Sequence, residues 1–339
     1  MSRHDIIVVG ASAGGLKALQ TLLRDLPGNI AASIFVVLHI GARPSVLPRI
    51  LASAGHLPVA HAVDGAPIRM GHVHVAPPDR HLLIEQGSGG QGRTRLFGGP
   101  RENMTRPAVD PLFRSAAEAF GPRVIGVILS GALGDGTAGL IAIKNQGGIA
   151  IVQDPDEAQY PGMPKNALKY AAVDHCAPLA DISDLLASLS GTIDGEKAVA
   201  APGQADSGPQ AKEEAVMSDK YDLGRPVALT CPDCGGSVQE TVVDSMPYYT
   251  CHIGHRYAAP NMDAGQFERM EYALAVALRS LNERVELCRR MAETSRANGQ
   301  TYATERWEDA RREAEDRAVV LRRFLEQDWI GPDALQNAV

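Results

Sequence analysis

Apolar and polar positions follow two alternating patterns over the first 190 residues. Short runs rich in β-branched residues lie at residues 6–9, 34–39, 124–129 and 149–152. Segments with apolar residues at helical spacing follow some of these runs, at residues 16–26 and 137–145. This order is typical of βαβ units, so we predict an α/β fold with a doubly wound, mostly parallel sheet.

The middle of this region has a different pattern. Two apolar runs, at residues 72–76 and 81–85, flank the tripeptide Pro77-Pro78-Asp79, and the glycine-rich segment 87–92 follows. Proline and aspartate between apolar runs favour a turn. We therefore predict that the two runs form an antiparallel hairpin.

Composition divides the chain into four parts. Residues 193–222 hold almost no large apolar side chains, so they cannot bury enough surface to order themselves and are predicted to form a flexible linker. The predicted parts are an α/β domain at 1–192, the linker at 193–222, a cysteine-bearing module at 223–258 and a helical hairpin at 259–330. The polar linker suggests that the parts on either side fold independently of each other.

Two apolar stripes predict the helical hairpin. The first runs from Phe267 to Met291 and the second from Trp307 to Leu325, with apolar residues every three or four positions. A short polar turn at residues 297–300 separates the stripes, which favours two antiparallel helices. We expect these helices to bind a partner that the sequence does not identify.

Charge and hydropathy reduce the number of possible binding partners and cellular locations. The net charge of -7 and the pI near 5.8 provide no basic surface for nucleic acid. The apolar runs are far shorter than the roughly 20 residues that span a bilayer, so no membrane insertion is expected. Residues 1–5 are polar and lack the pattern of a signal peptide. We therefore expect a cytoplasmic protein.

The turn after the first predicted strand carries candidate chemistry. Ser12 lies in Gly10-Ala11-Ser12-Ala13-Gly14-Gly15, which fits the G-x-S-x-G pattern of a nucleophile elbow between a strand and a helix. The helix would direct free N–H groups toward this turn and could stabilise an oxyanion. A glycine-rich turn of this kind is also typical of a phosphate-binding loop. Taken alone, the motif favours nucleotide binding.

Two later residues reverse that preference. His39 ends the second predicted strand, where a dinucleotide-binding fold would carry an acidic residue. Asp135 follows another predicted parallel strand and precedes a helix, where its simpler role would be a helix cap. Ser12, His39 and Asp135 therefore reach the same edge of one sheet, and they are the residue types of a catalytic triad. Asp110 is expected to fix the start of a different helix.

Several longer motifs resemble one family in order. They are GASAGG, LHI, DGAPIRMGHVHVAPPDRHLLI, RPAVDPLFRSAAEAFG, VIGVILSGALGDGTAGLIAIKNQGG and QDPDEAQYPGMPKNAL. Over about residues 4–190 the chain resembles the CheB-type protein-glutamate methylesterase domain. The resemblance implies a nucleophile at Ser12, a base at His39, a carboxylate at Asp135 and no cofactor for catalysis. It also implies methylated glutamates on the helices of chemotaxis-type receptors as substrate, and deamidation of selected glutamines.

The chain departs from the family pattern in three places. Family members commonly have threonine where this chain has Ala13, and a threonine-glycine-methionine turn where it has residues 130–133. By analogy the oxyanion is held by backbone N–H near Ala132, which does not depend on the side chain. Many relatives also carry a receiver domain ahead of the esterase, whereas this sequence starts at the first esterase strand. We therefore expect no control by a phosphoryl-aspartate of its own.

A metal site is predicted in the cysteine-bearing module. Cys231 and Cys234 form a C-x-x-C knuckle, and Cys251 and His255 supply a second pair after a hairpin-length spacer. Three thiolates and one imidazole complete a tetrahedral zinc site with no open position, which predicts a structural zinc. A disulfide or free thiols are the alternative. His255 is preferred to His252 because glycine before it can turn the chain toward the metal.

The predicted function is thus a serine hydrolase that removes methyl esters from glutamate side chains in chemotaxis-type signalling. Two alternatives stay open. The first is a nucleotide-binding module that uses the GASAGG turn. The second is a non-catalytic adaptor in which the zinc-containing module and the helices bind partners.

Overall fold

A computed structural model describes residues 4–42, 44–87, 92–192, 229–327 and 329. The chain forms two compact units, Met1–Met262 and Asp263–Val339. The linker predicted at 193–222 lies outside the described residues. No helix among those that the structure describes combines the length and apolar character needed to cross a bilayer.

Up to residue 190 the elements alternate between strands and helices, except for a run of four consecutive strands in the middle. They are β1 (Ile6–Ala11), α1 (Gly15–Asp25), β2 (Ser33–Leu38), α2 (Leu47–Ala52), β3 (Val59–His61), β4 (Val73–Val75), β5 (His81–Gln86), β6 (Gly92–Phe97), α3 (Val109–Phe120), β7 (Val124–Ile128), α4 (Thr137–Asn145), β8 (Ile149–Gln153), α5 (Gly162–Tyr170), β9 (His175–Ala177) and α6 (Leu179–Ser190). The remaining elements are β10 (Val238–Val243), β11 (Met246–Cys251), β12 (Arg256–Ala258), α7 (Ala259–Ala297) and α8 (Thr301–Leu325).

A parallel sheet of seven strands is the centre of the first unit. Its order is β3-β4-β2-β1-β7-β8-β9, and one buried cluster lies on each face. Phe113 of α3 and Leu140 of α4 belong to one cluster, whereas Leu19 of α1 and Ile182 of α6 belong to the other. Helices therefore cover both faces, which confirms the predicted doubly wound α/β fold.

The predicted hairpin between residues 72–76 and 81–85 is wrong. β4 pairs in parallel with β2 and with β3, inside the main sheet. β5 pairs antiparallel with β6, so the hairpin lies one strand later along the chain. The prolines do form a turn, but the apolar residues on its two sides join different sheets. Side-chain pattern alone does not distinguish a parallel partner far along the chain from the nearest antiparallel one.

The cysteine-bearing module belongs to the first unit. Its described residues, 229–258, together with the first residues of α7 up to residue 262, are called the cysteine module below. β10, β11 and β12 form an antiparallel sheet, in which Met246, Tyr248 and Ala258 share a core cluster with Val109 of the α/β domain. One core therefore includes residues of both parts. Independent folding of the two parts stays a prediction, and the shared core argues against it.

The second unit contains most of α7 and all of α8. A short turn at residues 298–300 separates the helices, close to the predicted position. The buried side chains are small ones, namely Cys288, Ala292 and Ser295 on α7 and Ala314 and Ala318 on α8. Small residues allow close approach, while the larger apolar residues of the predicted stripes are partly buried, except Met291, which is exposed. The boundaries of the four predicted domains stay a prediction.

Candidate active site

The three predicted catalytic residues follow three neighbouring strands. Ser12 comes after β1, His39 after β2 and Asp135 after β7, and β1 lies between the other two strands. Ala11 is paired with Leu38 in the parallel register, so the next residues, Ser12 and His39, lie opposite each other. The chain order of the strands reverses at β1, and such switch points form crevices at the carboxyl edge of a sheet.

Main-chain contacts fix the turn that carries Ser12. Its N–H donates to the carbonyl of Ser130 over 3.0 Å, and its carbonyl accepts from Gly15 N–H over 2.9 Å. Gly14 has a φ of 72°, and a Cβ at that position would lie 2.7 Å from Ser130 Oγ. Glycine is therefore required here by both conformation and space.

The loop after β7 approaches the serine closely. A Cβ placed on Gly131 would lie 2.1 Å from the Sδ of Met163 and 3.0 Å from the Cβ of Ser12. Gly131 therefore lets this loop pass beside the candidate nucleophile. Met163 is fully buried behind it and has a packing role.

A continuous chain of hydrogen bonds links the three side chains. His39 Nδ1 lies 3.0 Å from Ser12 Oγ, and His39 Nε2 lies 2.7 Å from Asp135 Oδ2. An ionised carboxylate only accepts, so Nε2 carries the proton and Nδ1 is free to accept from the serine hydroxyl. The imidazole is 17% exposed, whereas the side chain of Asp135 has no exposure. This arrangement can pass the serine proton to the imidazole.

Asp135 is held as a buried anion by several donors. Its Oδ2 accepts from Val109 N–H over 2.7 Å, and its Oδ1 accepts from Gly136 N–H over 2.9 Å and from Asn103 Nδ2 over 2.7 Å. Burial alone would raise the pKa of Asp135, but the hydrogen bond and attraction of His39 and the bonds from Val109 and Asn103 hold that pKa below its usual value. The carboxylate therefore stays charged beside the imidazole.

A second buried carboxylate lies beside the first. Asp110 Oδ1 accepts from Gly139 N–H over 2.7 Å, and Oδ2 accepts from Asn103 Nδ2 over 2.8 Å. Burial, followed by the negative charge of Asp135, raises the pKa of Asp110 to about 7. Asp110 therefore does more than start its own helix, because it binds the neighbouring helix and shares a donor with Asp135.

Asn103 is a further residue of the site that no sequence pattern indicated. It lies between β6 and α3 with a φ of 51°, in the left-handed region that asparagine tolerates better than most residues. Its side chain is buried and donates to both carboxylates. The residues around it show no helical or strand periodicity. Only its contact with Asp135, 32 positions along the chain, distinguishes it from other loop residues.

Two backbone N–H groups close to Ser12 are candidates for an oxyanion hole. Ala13 follows Ser12 in the turn before α1, and Ala132 follows Gly131, which approaches Ser12 closely. In the described part of the chain, neither N–H donates to a protein acceptor. Both are consistent with the oxyanion contribution expected near Ala132.

The four predicted metal ligands come together in the cysteine module. The donor atoms of Cys231, Cys234, Cys251 and His255 lie within 4.8 Å of one another. Gly254 has a φ of 99°, which turns the chain so that His255 faces the cysteines, as expected from the sequence. This group can hold a metal ion, and within the described residues it is the one cluster of histidine, cysteine and acidic ligand atoms with such proximity.

The doubly wound fold and the hydrogen-bonded side chains of Ser12, His39 and Asp135 define the class of protein. It is an α/β enzyme with a candidate serine nucleophile at the switch point of the sheet. Residues 7–186 match the family model described as CheB methylesterase. The chain therefore belongs to the CheB methylesterase family. This membership and the hydrogen bond from Ser12 to His39 favour the esterase over the nucleotide-binding alternative.

Relatives and a solved structure are similar to the same part of the chain. A putative protein-glutamate methylesterase/protein-glutamine glutaminase of Leptospira interrogans is 41% identical over 188 residues, which are 55% of this chain and 95% of the relative. A protein-glutamate methylesterase/protein-glutamine glutaminase of Anaeromyxobacter dehalogenans is 40% identical over 56% of this chain and 54% of its own length. The crystal structure of the Thermotoga maritima CheB methylesterase catalytic domain is 34% identical, with a TM-score of 0.53, over 55% of this chain and 98% of that one.

Proposed function

We propose that this protein is a protein-glutamate methylesterase that uses Ser12 as nucleophile, His39 as general base and Asp135 as the group that orients His39. The observation that carries the proposal is the chain of two hydrogen bonds, 3.0 Å and 2.7 Å long, that joins the three side chains. Family membership supports the reaction class.

The reaction has two halves. Ser12 Oγ attacks the ester carbonyl carbon while its proton moves to His39 Nδ1, and backbone N–H groups stabilise the oxyanion. The tetrahedral intermediate then expels methoxide, which takes the proton from His39 and leaves as methanol. Water attacks the acyl-enzyme while its proton moves to His39. The second tetrahedral intermediate then breaks its bond to Ser12 Oγ, which takes the proton back from His39, and the glutamate carboxylate is released. Throughout, Asp135 keeps Nε2 protonated and stabilises the imidazolium.

The same site would act on glutamine. Attack on a side-chain amide gives the same acyl-enzyme and releases ammonia in place of methanol, and the similar proteins carry a glutaminase name as well. We propose the helices of methylated, chemotaxis-type receptors as the substrate, in line with the resemblance; the relatives' names specify only glutamate and glutamine in proteins. A cytoplasmic location and a partner for the helical hairpin stay predictions.

Labelling of the serine tests the proposal. Wild type should react with a fluorophosphonate and release methanol from a peptide that carries a glutamate γ-methyl ester, and S12A should do neither. S188A is a matched control because Ser188 is an exposed serine on α6 that bonds only its own helix. Labelling of S12A at the wild-type rate would overturn the assignment. Ammonia release from the glutamine peptide measures the second activity.

We also propose a structural zinc ion bound by Cys231, Cys234, Cys251 and His255. A tetrahedral site with bonds of ~2.3 Å to sulfur and ~2.05 Å to nitrogen has edges of about 3.8 Å between two sulfurs and about 3.6 Å between sulfur and nitrogen. Sγ of Cys234 lies 3.7 Å from Sγ of Cys251, and Nδ1 of His255 lies 3.6 Å from Cys231 and 3.5 Å from Cys251. These three distances therefore match the spacing that zinc requires, and all four donor atoms lie within 4.8 Å of one another.

Hydrogen bonds around the ligands support the same assignment. The hydroxyl of Tyr257 lies 3.1 Å from Cys231 Sγ and donates to Asp233 over 2.7 Å. Such outer partners orient metal ligands. Because all four positions are filled by protein, no water would bind the metal, and its role would be structural. Metal analysis should find zinc in wild type and in C176S, whose cysteine lies outside the cluster, but not in C234S.

A further inference from the structure

One loop residue connects the active site to the cysteine module. Asn103 is 3% exposed, and its Nδ2 donates to Asp135 over 2.7 Å and to Asp110 over 2.8 Å. Both protons of this amide are therefore directed at the carboxylates beside His39. No other side-chain amide of the described residues contacts Asp135.

The remaining polar groups of Asn103 all bind the cysteine module. Its main-chain N–H donates to the carbonyl of Arg256 over 2.7 Å. Its Oδ1 accepts from Ala258 N–H over 2.8 Å, and its carbonyl accepts from Asn261 Nδ2 over 3.4 Å. Contacts with the module thus fix the position of the Asn103 side chain. That side chain in turn holds one oxygen of the Asp135 carboxylate by a hydrogen bond.

The loop conformation depends on the same contacts. Asn103 and Met104 both have positive φ, 51° and 66°, which is unfavourable for methionine and needs support from surrounding packing. Met104 packs against the cluster that contains Cys231, Cys251 and Tyr257. The loop residue next to Asn103 therefore rests on the side chains that would bind the metal.

A second contact reaches the loop that carries Asp135. Asn261 Oδ1 accepts from the N–H of Gly134, the residue before Asp135, over 3.1 Å. A Cβ on Gly134 would lie 3.4 Å from the Cβ of Ala258, so the loop passes close to the module at this glycine. The carboxylate is thus bound to the module through its own loop as well as through Asn103.

We propose that the cysteine module, with its metal bound, positions Asp135 through Asn103, so that metal occupancy controls the esterase rate. This inference rests on the proposed function. Asn103 is a positioning residue, because it contacts neither Ser12 nor His39 and acts through Asp135. Loss of the metal would make residues 251–258 more mobile, and the loop at 101–106 would then lose its support. The carboxylate that orients His39 would no longer be held in place.

The first experiment breaks the bridge and keeps the metal. N103A should retain zinc and lower kcat on the methyl-ester peptide about 10- to 100-fold, with little change in KM, because a hydrogen bond to a buried charge is lost away from the substrate. In a D135N background the same change should lower kcat less than about twofold, since its route is already broken. N145A is the control, because Asn145 also contacts the module, at Asp244, but is exposed and touches neither carboxylate.

The second experiment removes the metal from the full chain. A chelator or C234S should lower the esterase rate together with zinc content, and zinc returned after chelation should restore it. Hydrogen exchange gives a readout besides activity, because the amide of Asn103, bonded to Arg256, should lose protection when zinc is removed. C176S should keep zinc, rate and protection, because Cys176 is an exposed cysteine on β9 outside the ligand cluster.

The outcomes separate the two claims. In one outcome, wild type is active and S12A is inactive, but N103A and the zinc-free chain keep the full rate. This outcome would overturn the positioning role, and the esterase assignment would remain. A wild type without esterase activity, with zinc-dependent protection of Asn103, would overturn the esterase instead. If N103A does not fold, N261A removes the bonds to Gly134 and to the Asn103 carbonyl and should lower kcat by a smaller factor. An unchanged kcat in folded N261A with unchanged activity after chelation would also overturn the proposal.

Discussion

Asp110, at the start of α3, and Asp135, just before α4, each accept a backbone hydrogen bond from the beginning of the other's helix. Asp135, just before α4, accepts from the first N–H groups of α3, including that of Val109 at 2.7 Å, while Asp110 of α3 accepts from Gly139 of α4 at 2.7 Å. These reciprocal caps join the amino ends of the two helices and satisfy N–H groups that a helix leaves unpaired. The helix dipoles also favour negative charge at this place. The candidate catalytic carboxylate therefore also contributes to the packing of the two helices.

Replacing Asp135 by asparagine should separate its two roles. D135N keeps an oxygen that can accept from α3 but loses the charge and favours the wrong imidazole tautomer, so we expect kcat to fall by about 10³- to 10⁴-fold while the chain stays folded. Hydrolysis of the methyl-ester peptide and circular dichroism measure the two effects. D181N, at an exposed aspartate of α6, should match wild type. Wild-type activity in D135N would reduce Asp135 to a helix cap.

Stability should fall with pH because of Asp110. Its pKa is raised from 3.8 to about 7, so between these values the folded chain holds a proton that the unfolded chain has lost. The unfolded state then binds fewer protons, and the free energy of unfolding decreases as pH rises through this window. D110N removes the titration. Urea unfolding at pH 5 and pH 8 should show a larger loss for wild type than for D110N. Equal losses would contradict the raised pKa.

Adding a methyl group at Gly131 should disturb the serine without touching the hydrogen-bond chain. In G131A the new Cβ would meet Met163 Sδ at 2.1 Å and Ser12 Cβ at 3.0 Å. We expect fluorophosphonate labelling of Ser12 to slow at least tenfold, because displacements of about 1 Å are costly in a reacting geometry. Shortening Met163 to alanine in the same chain should recover part of the rate. G28A is the control, because its nearest neighbour would be a side-chain atom at 3.3 Å.

Truncation tests the shared core. A chain that ends at residue 192 loses Met246, Tyr248 and Ala258 from the cluster on one face of the sheet. Burial of the two larger side chains contributes roughly 3 to 6 kcal/mol, so the melting temperature should drop by roughly 5 to 20 °C relative to the full chain. Thermal unfolding of both chains measures this. Identical melting temperatures would show that the two parts are independent after all.

The sequence was sufficient for the strands that carry the candidate triad. Periodicity identified β1, β2 and β7, and parallel strands bring their carboxyl ends to one edge, so Ser12, His39 and Asp135 could be expected together. The C-x-x-C knuckle and the glycine before His255 likewise predicted a ligand cluster. In each case a local pattern or a general rule of sheet geometry determines the outcome.

Strand partners and polar contacts between distant residues were decided by the tertiary structure. β4 and β5 have similar apolar patterns on either side of one turn, yet β4 joins the main sheet, because pairing depends on which edge and which core are available. Asn103 binds Asp135, 32 positions away, and Ala258, 155 positions away. The residue sequence around Asn103 has no period and no motif. The sequence by itself determined the chemistry at the strand ends, whereas the support of Asp135 by the cysteine module depends on long-range packing, which no local pattern encodes.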